Sequence, residues 1–312
     1  MKRIPRQFSL GISAIFIAAV IFGVAGAFAK ALFHADISPI DLTAVRSLVA
    51  CGIFALMMLV TQPRAFRIKL SSAPLLIATG LAFTAVNVTF YLSISMISVA
   101  AAITLEYTAP FFVLIIGLSL KTRRFDMRDL GIVILSIVGC FLLSGSEAEI
   151  FSSNIGILVG LICGLSFAVF NMLGNACKQQ GLGASTVTLY AFIVSAIVWA
   201  FLLPLLSIDE IEITREVALY LGFITVVATV VPYWLLMYGL RYVDALPATV
   251  IGMLDPLVAG FAAFVLLGER LTLANMVGIV IVIIAVCLIS IKEGDKQDEE
   301  TTSQLEDSVR DV

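Results

Sequence analysis

From Leu70 to Leu105 the chain carries no charged residue. In a soluble domain about one residue in four is charged, so a stretch of this length cannot be given a polar skin in water. It is also too long for one crossing of a bilayer, which takes about 20 apolar residues. The stretch must cross, turn and cross again, and Ser93, Ser95 and Ser98 mark the turn. The rest of the chain reads the same way. Apolar runs broken by charges, prolines and polar clusters predict ten spans, over 9–31, 39–60, 73–94, 99–120, 128–145, 154–176, 185–206, 217–240, 246–268 and 272–291. Of the 312 residues, 61 % are hydrophobic and 13 % charged, with mean hydropathy +1.09. That balance excludes a disordered chain, a coiled coil and a nucleic-acid binder. The expected fold class is an all-α integral membrane protein.

Lysine and arginine set the orientation. With the N-terminus in the cytoplasm, the inner segments hold Lys2, Arg3, Arg6, Arg64, Arg67, Lys69, Lys121, Arg123, Arg124, Arg128, Lys178, Arg241, Lys292, Lys296 and Arg310. The outer loops hold Arg215 and Arg270. This asymmetry requires an even number of spans and puts both termini in the cytoplasm of a multi-pass protein of the cell (inner) membrane. The uncharged run from Gln7 to Ala29 exceeds a signal-peptide core, so the first span is expected to be retained. Residues 292–312 carry eight acids and three bases, a net −5, and are expected to form a disordered acidic cytoplasmic tail.

The two halves resemble each other. Ser98–Ala102 and Pro110 recur as Asp244–Ala248 and Pro256, each 146 positions later. Phe22 and Lys30 recur as Phe167 and Asn175, and Gly131 and Gly278 open corresponding spans. The units are 9–145 and 154–291. Each has five spans, an odd number, so the second must be inserted upside down relative to the first. Ten transmembrane helices as two inverted five-helix repeats is an architecture of secondary transporters, in which one chain reaches inward- and outward-open states by alternating access.

These features carry a resemblance to a family. Phe22-Gly23 with Lys30, Ser38-Pro39 with Arg46, and the run from Asp255-Pro256 to Leu267-Gly268-Glu269-Arg270-Leu271 with Gly278 are similar to the EamA family of the drug/metabolite transporter superfamily. The resemblance implies two EamA repeats and transport, expected to be export, of small metabolites such as amino-acid-like compounds, or of drugs. It also implies that spans 1, 3, 4, 6, 8 and 9 surround a central cavity, with 5 and 10 outside it.

Charged groups within a bilayer are costly and face a cavity or a partner. Glu106 lies about eight residues, or roughly 12 Å, into the fourth span. Asp255 lies comparably deep in the ninth. A proline leaves the carbonyl four residues before it without its helical donor. Pro110 does this for Glu106, and Pro256 for Gly252, its repeat mate. Polar stripes suit the same cavity: Asn87 and Tyr91 on the third span, Asn171 and Asn175 on the sixth, and Tyr233, Trp234 and Tyr238 on the eighth. Lys30 and Arg46, with Asp41, are placed near the outer ends of their spans, where an ion-paired gate or snorkelling to the interface would put them. The stripe Gly156, Gly160, Gly164 predicts close helix packing.

The alternatives are a membrane channel and an intramembrane enzyme. A filter ordinarily needs several subunits or a carbonyl ring. The single histidine, His34, gives no basis for a metal site or a histidine-assisted serine, and no Gly-x-Gly-Asp accompanies Asp255. The five cysteines form no C-x-x-C pair, and no nucleotide-binding motif appears. No cofactor or metal is expected. The expected partners are a small-molecule solute and the lipid bilayer, with a homodimer left open and no nucleic acid.

Overall fold

A computed structural model describes residues 6–33, 37–97, 99–121, 126–144, 153–205, 214–255, 257–258 and 273–310. The first half forms α1 (Arg6–Phe33), α2 (Pro39–Thr61), α3 (Ala73–Met96), α4 (Val99–Glu106), α5 (Ala109–Ser119) and α6 (Met127–Ser144). The second half forms α7 (Asn154–Gln179), α8 (Ala184–Leu202), α9 (Arg215–Gly222), a π-helical stretch (Phe223–Val230), α10 (Val231–Gly239), α11 (Ala245–Gly252) and α12 (Leu273–Arg310). Among the described residues there is no strand.

Local chemistry sets the ends. Pro39 opens α2, where the Ser38 hydroxyl accepts from the Ile40 N–H at 3.3 Å. Ser153 caps α7 through the Gly156 N–H at 3.1 Å, and Thr214 caps α9 through the Val217 N–H at 3.3 Å. Gly181, at φ +72°, ends α7 in the left-handed region, and the Leu182 N–H closes back on the Cys177 carbonyl. The π-helical stretch lies just before Pro232. That proline has no N–H for the Ala228 carbonyl, and the Thr229 hydroxyl reaches back five residues to the Ile224 carbonyl at 2.7 Å.

Among the described residues, seven helical stretches are long and apolar enough to cross a membrane: 7–25, 39–61, 70–96, 101–119, 154–179, 184–202 and 215–239. Met276–Lys292 is a shorter apolar helix. The fold-back expected within 70–105 is present, with the turn at Ile97, whose N–H bonds the Ser93 carbonyl. α6 matches the expected fifth span. α11 begins the expected ninth span, most of whose later part lies outside the described residues. The acidic tail differs from expectation: its backbone continues α12 to Arg310. Glutamate, lysine and glutamine are good helix formers, and a helix already nucleated in the apolar segment propagates through them at little cost.

The exterior of the bundle is apolar. Phe201, Val60, Leu56 and Ile155 are among many large exposed hydrophobic side chains. Such a surface suits hydrocarbon and not water. Packing follows the repeat. α3 lies on α7 as α10 lies on α1, and α3 meets α8 as α2 meets the π-helical stretch. The pairs α2–α8, α5–α11 and α6–α12 map onto themselves. Exchanging the halves therefore maps these pairings onto one another.

Candidate functional site

The glycine stripe fixes the depth of the site. A Cβ on Gly160 would sit 2.6 Å from Leu105, and one on Gly164 would sit 2.7 Å from the Leu105 carbonyl. α7 therefore comes against the end of α4 at backbone distance, as the stripe predicts. There α4 stops. Tyr107 and Thr108 form a turn, the Thr108 hydroxyl bonds the Leu105 carbonyl at 2.6 Å, and α5 restarts at Ala109-Pro110. Pro110 has no N–H to give the Glu106 carbonyl, and the Phe111 and Phe112 N–H groups turn to Thr108. In the second half the helix is interrupted at Met253, 146 positions after Tyr107, where the Met253 N–H turns to the Val250 carbonyl. Discontinuous helices meeting at mid-membrane form the substrate sites of many transporters.

A cavity of about 70 Å³ lies at this break. Glu106, Tyr107 and Asp255 line it together with Arg46, Asn87, Tyr91 and Tyr233. Its walls come from α1, α2, α3, α4, α7, the π-helical stretch, α10 and the segment after α11; α6 and α12 supply none of the described lining. The Tyr107 hydroxyl donates to Asp255 Oδ2 at 2.9 Å. Arg46 is buried, 5 % exposed, and donates through Nη1 to the Tyr91 hydroxyl at 3.1 Å and through Nη2 to Asn87 Oδ1. Its guanidinium carbon lies 5.0 Å from the Tyr91 ring centroid. Asn87 Oδ1 also accepts from the Tyr233 hydroxyl at 3.1 Å, and Asn87 Nδ2 returns to the Phe83 carbonyl. Phe22, Phe83, Phe170 and Phe192 surround the Tyr233 ring edge-on, at centroid distances of 4.9, 4.6, 6.0 and 6.4 Å.

The structure thus brings together Glu106, Asp255, Asn87, Tyr91 and Tyr233 from the expected site. It differs from the expectation for Arg46, which is neither at the outer rim nor snorkelling. Two acceptors on α3 hold it inside the cavity. Trp234 and Tyr238 line a separate cavity at one end of the bundle, because successive helix positions diverge by about 100°. Asn171 is fully buried and donates to the Phe167 carbonyl at 2.8 Å, and it does not line the cavity. Asn175, with its amide oriented to satisfy both neighbours, donates to the Leu240 carbonyl at 2.9 Å and accepts from the Ala245 N–H at 2.7 Å. It ties α7 to the turn between α10 and α11. Gly252 closes α11 beside Tyr107. The Lys30 side chain, Pro256, Glu269 and Arg270 lie outside the described residues. Tyr107 and Phe90 were not singled out by sequence, and Phe22 and Phe167 were picked out as repeat mates and not as cavity wall; the adjacency of Tyr107 to Glu106 at a proline break was the available signal.

Comparison with known proteins agrees with this geometry. The chain matches the EamA-like transporter family over residues 9–145 and 154–291. A 201-residue stretch is 30 % identical to an uncharacterized transporter of Archaeoglobus fulgidus, covering 64 % of this chain and 70 % of that one. The uncharacterized transporter YwfM of Bacillus subtilis is 26 % identical over 280 residues, covering 88 % of this chain and 92 % of its own. A solved crystal structure superposes with TM-score 0.73 at 14 % identity, over 90 % of this chain and 97 % of that one, a likeness of fold alone. With two repeats matched and several apolar helices long enough to cross a bilayer, the chain belongs to the EamA-like transporter family of multi-pass membrane proteins.

Proposed function

We propose that the chain is a secondary transporter that moves small amine-bearing organic metabolites across the cell membrane by alternating access, with export as its working direction. Ten helices in two inverted five-helix repeats and cytoplasmic termini complete the reading. The fifteen-to-two division of cationic residues and the preserved packing on exchange of the halves support it. The observation that carries it is the charge set of the central cavity. Two carboxylates, Glu106 and Asp255, and one guanidinium, Arg46, line one cavity. Fully ionised, that set sums to −1. An unbalanced charge is costly there, so a cation or a proton completes the site. An ammonium group would supply that cation, and the aromatic wall would take the apolar part of an organic solute. At about 70 Å³ the cavity is smaller than the roughly 300–1,000 Å³ of ligand-filled pockets. This supports reading the structure as a contracted state between two open ones.

The test is metabolite profiling of medium and cells that express the wild-type chain or Glu106→Gln at equal membrane levels. Amine-bearing compounds should accumulate in the medium only with the wild type. Identical profiles would sink the reading. Topology is checked separately: an alkaline phosphatase fusion after Glu293 should be inactive and one after Glu149 active, and the reverse pattern overturns the orientation.

A further inference from the structure

A second cavity, of about 580 Å³, lies at the end of the bundle where α2 finishes and α8 begins. It shares no lining residue with the central cavity, and its volume suits a small organic ligand. Its walls are fixed by contacts of their own. The Tyr190 hydroxyl donates to the Phe66 carbonyl at 3.0 Å and pins the 3₁₀ turn Pro63–Phe66, which brings Arg64 to the rim. Trp234 Nε1 donates to the Ser185 hydroxyl at 3.2 Å, locking the indole across the gap between α10 and α8. The Trp234 and Tyr238 rings stack at 5.9 Å with 29° between their planes. Tyr238 meets Tyr242 edge-on at 5.4 Å, and the Arg241 guanidinium lies 5.9 Å from the Tyr242 ring centroid.

The charge of this cavity is one-sided. Arg64 and Arg241 line it, and among the described residues no carboxylate does. Nor, among those residues, does either arginine form an ion pair. Stacked aromatic rings beside two guanidinium groups are the complement of a planar ring bearing an anionic group. The ring packs on Trp234 and Tyr238, and the anion takes the arginine donors. We propose that this mouth is a second binding site, separate from the central cavity, for small aromatic carboxylates and phosphates. Its preference is opposite in sign to that of the central cavity. In the topology proposed above it opens to the cytoplasm. An occupant would load α10, the same helix whose Tyr233 closes the central cavity on Asn87.

The chain has two tryptophans, and Trp199 is 2 % exposed, so Trp234 emission reports on the mouth. Purified full-length protein in a neutral detergent is titrated with phenyl phosphate, benzoate, benzamide and inorganic phosphate. Phenyl phosphate and benzoate should quench saturably. Arg64→Gln and Arg241→Gln should each weaken them by about tenfold or more, the loss of one charge-assisted hydrogen bond. Benzamide should bind at least as weakly as benzoate does to those variants. Arg64→Lys, which keeps the charge, should retain saturable quenching and serves as the folding control. Glu106→Gln should leave the quenching in place, so this result stands even if the transport reading fails. Equal binding of benzamide and benzoate, unchanged constants in both glutamine variants, or loss of quenching in Glu106→Gln overturns the proposal. Inorganic phosphate competing as well as phenyl phosphate overturns the aromatic preference. Phosphatidylglycerol micelles that phenyl phosphate cannot displace would assign the arginines to lipid head groups and overturn the soluble ligand.

Discussion

The break between α4 and α5 and the break after α11 are built alike and furnished differently. Each interrupts a helix at equivalent positions, Tyr107 and Met253. Yet Glu106 has glycine as its mate at 252, Arg46 has Phe192, Tyr91 has Met237, and Asn87 has Tyr233. The first half supplies Arg46, Asn87, Tyr91, Glu106 and Tyr107 to the cavity; the second supplies Tyr233 and Asp255 among its polar lining. The scaffold is near-symmetric, which suits two access states of similar energy. The polar lining of the cavity is asymmetric, as the proposed solute with unlike ends would require. Asn87 and Tyr233 are the exception, since these mates bond each other where the halves meet.

The largest expected effect is loss of the first-half carboxylate. Glu106→Gln keeps shape and hydrogen bonding and removes the charge that balances a bound cation. Flux per folded molecule should fall about 100-fold or more, in line with breaking a buried charge pair. The asymmetry itself is tested by moving the group. Among the described residues a Cβ at Gly252 meets only Tyr107, at 3.8 Å, an ordinary van der Waals contact, so the position accepts a side chain's first carbon. Glu106→Gly combined with Gly252→Glu should fold and remain inactive, because Arg46 is anchored to the first half through Asn87 and Tyr91. Restored flux in the double variant would break the comparison, since either half would then serve.

Arg46→Lys comes next. A lysine keeps the charge and loses the fork that engages Asn87 and Tyr91 together. More than tenfold loss of flux is expected, with the protein still folded, because two hydrogen bonds to a charged donor are lost. Equal flux would mean that only charge matters at this position.

How far the site could be read from sequence depended on whether a feature is periodic. Proline and glycine positions showed the helix breaks and the close approach of α7, because each acts on its own backbone. Charge positions along the chain showed depth: Glu106 and Asp255 had no polar end of a span within reach. Arg46 was misplaced because depth alone does not separate an interface from a cavity. Its partners, Asn87 and Tyr91, lie 41 and 45 residues away on α3. Tyr233 and Trp234, on neighbouring stripes of one helix, were assigned to a single cavity because helical spacing tells which residues diverge and not which face meets which neighbour. The acidic tail was read from composition, which reports solvation and says little about backbone once a helix enters from a spanning segment.

Tyr107→Phe probes the smaller contribution of the bridge between the breaks. It removes the hydroxyl that donates to Asp255 and leaves the ring in place. Flux should fall roughly three- to tenfold, the range for one ordinary side-chain hydrogen bond. Tyr233→Phe should cost the same or less, because Arg46 remains on Asn87. If Tyr233→Phe costs more than Tyr107→Phe, the second half contributes beyond closing the aromatic wall.

The smallest effect is expected where the halves meet away from the cavity, at α6 and α12. Lys292, at the end of the apolar part of α12, bonds Asp129 at 2.7 Å and Asp126 beside it. Both acids come from the first half and the base from the second, so this contact too is unequal within an equal pairing. The Lys292 bond, then the Arg128 N–H at 2.8 Å, hold the Asp126 carboxyl below the usual carboxylate range. Its contribution is therefore complete above the ordinary carboxylate pKa and is lost as pH falls through the lowered one; across neutral pH it is constant. Lys292→Met should lower the thermal midpoint in detergent by about a few degrees at most, since a partly exposed pair contributes little. Flux should stay close to wild type. Asp126→Asn should remove part of the loss of stability in acid and leave the midpoint at neutral pH only slightly lower. A transport defect in Lys292→Met as deep as that of Arg46→Lys would show that α6 and α12 take part in the access change and do not merely brace it.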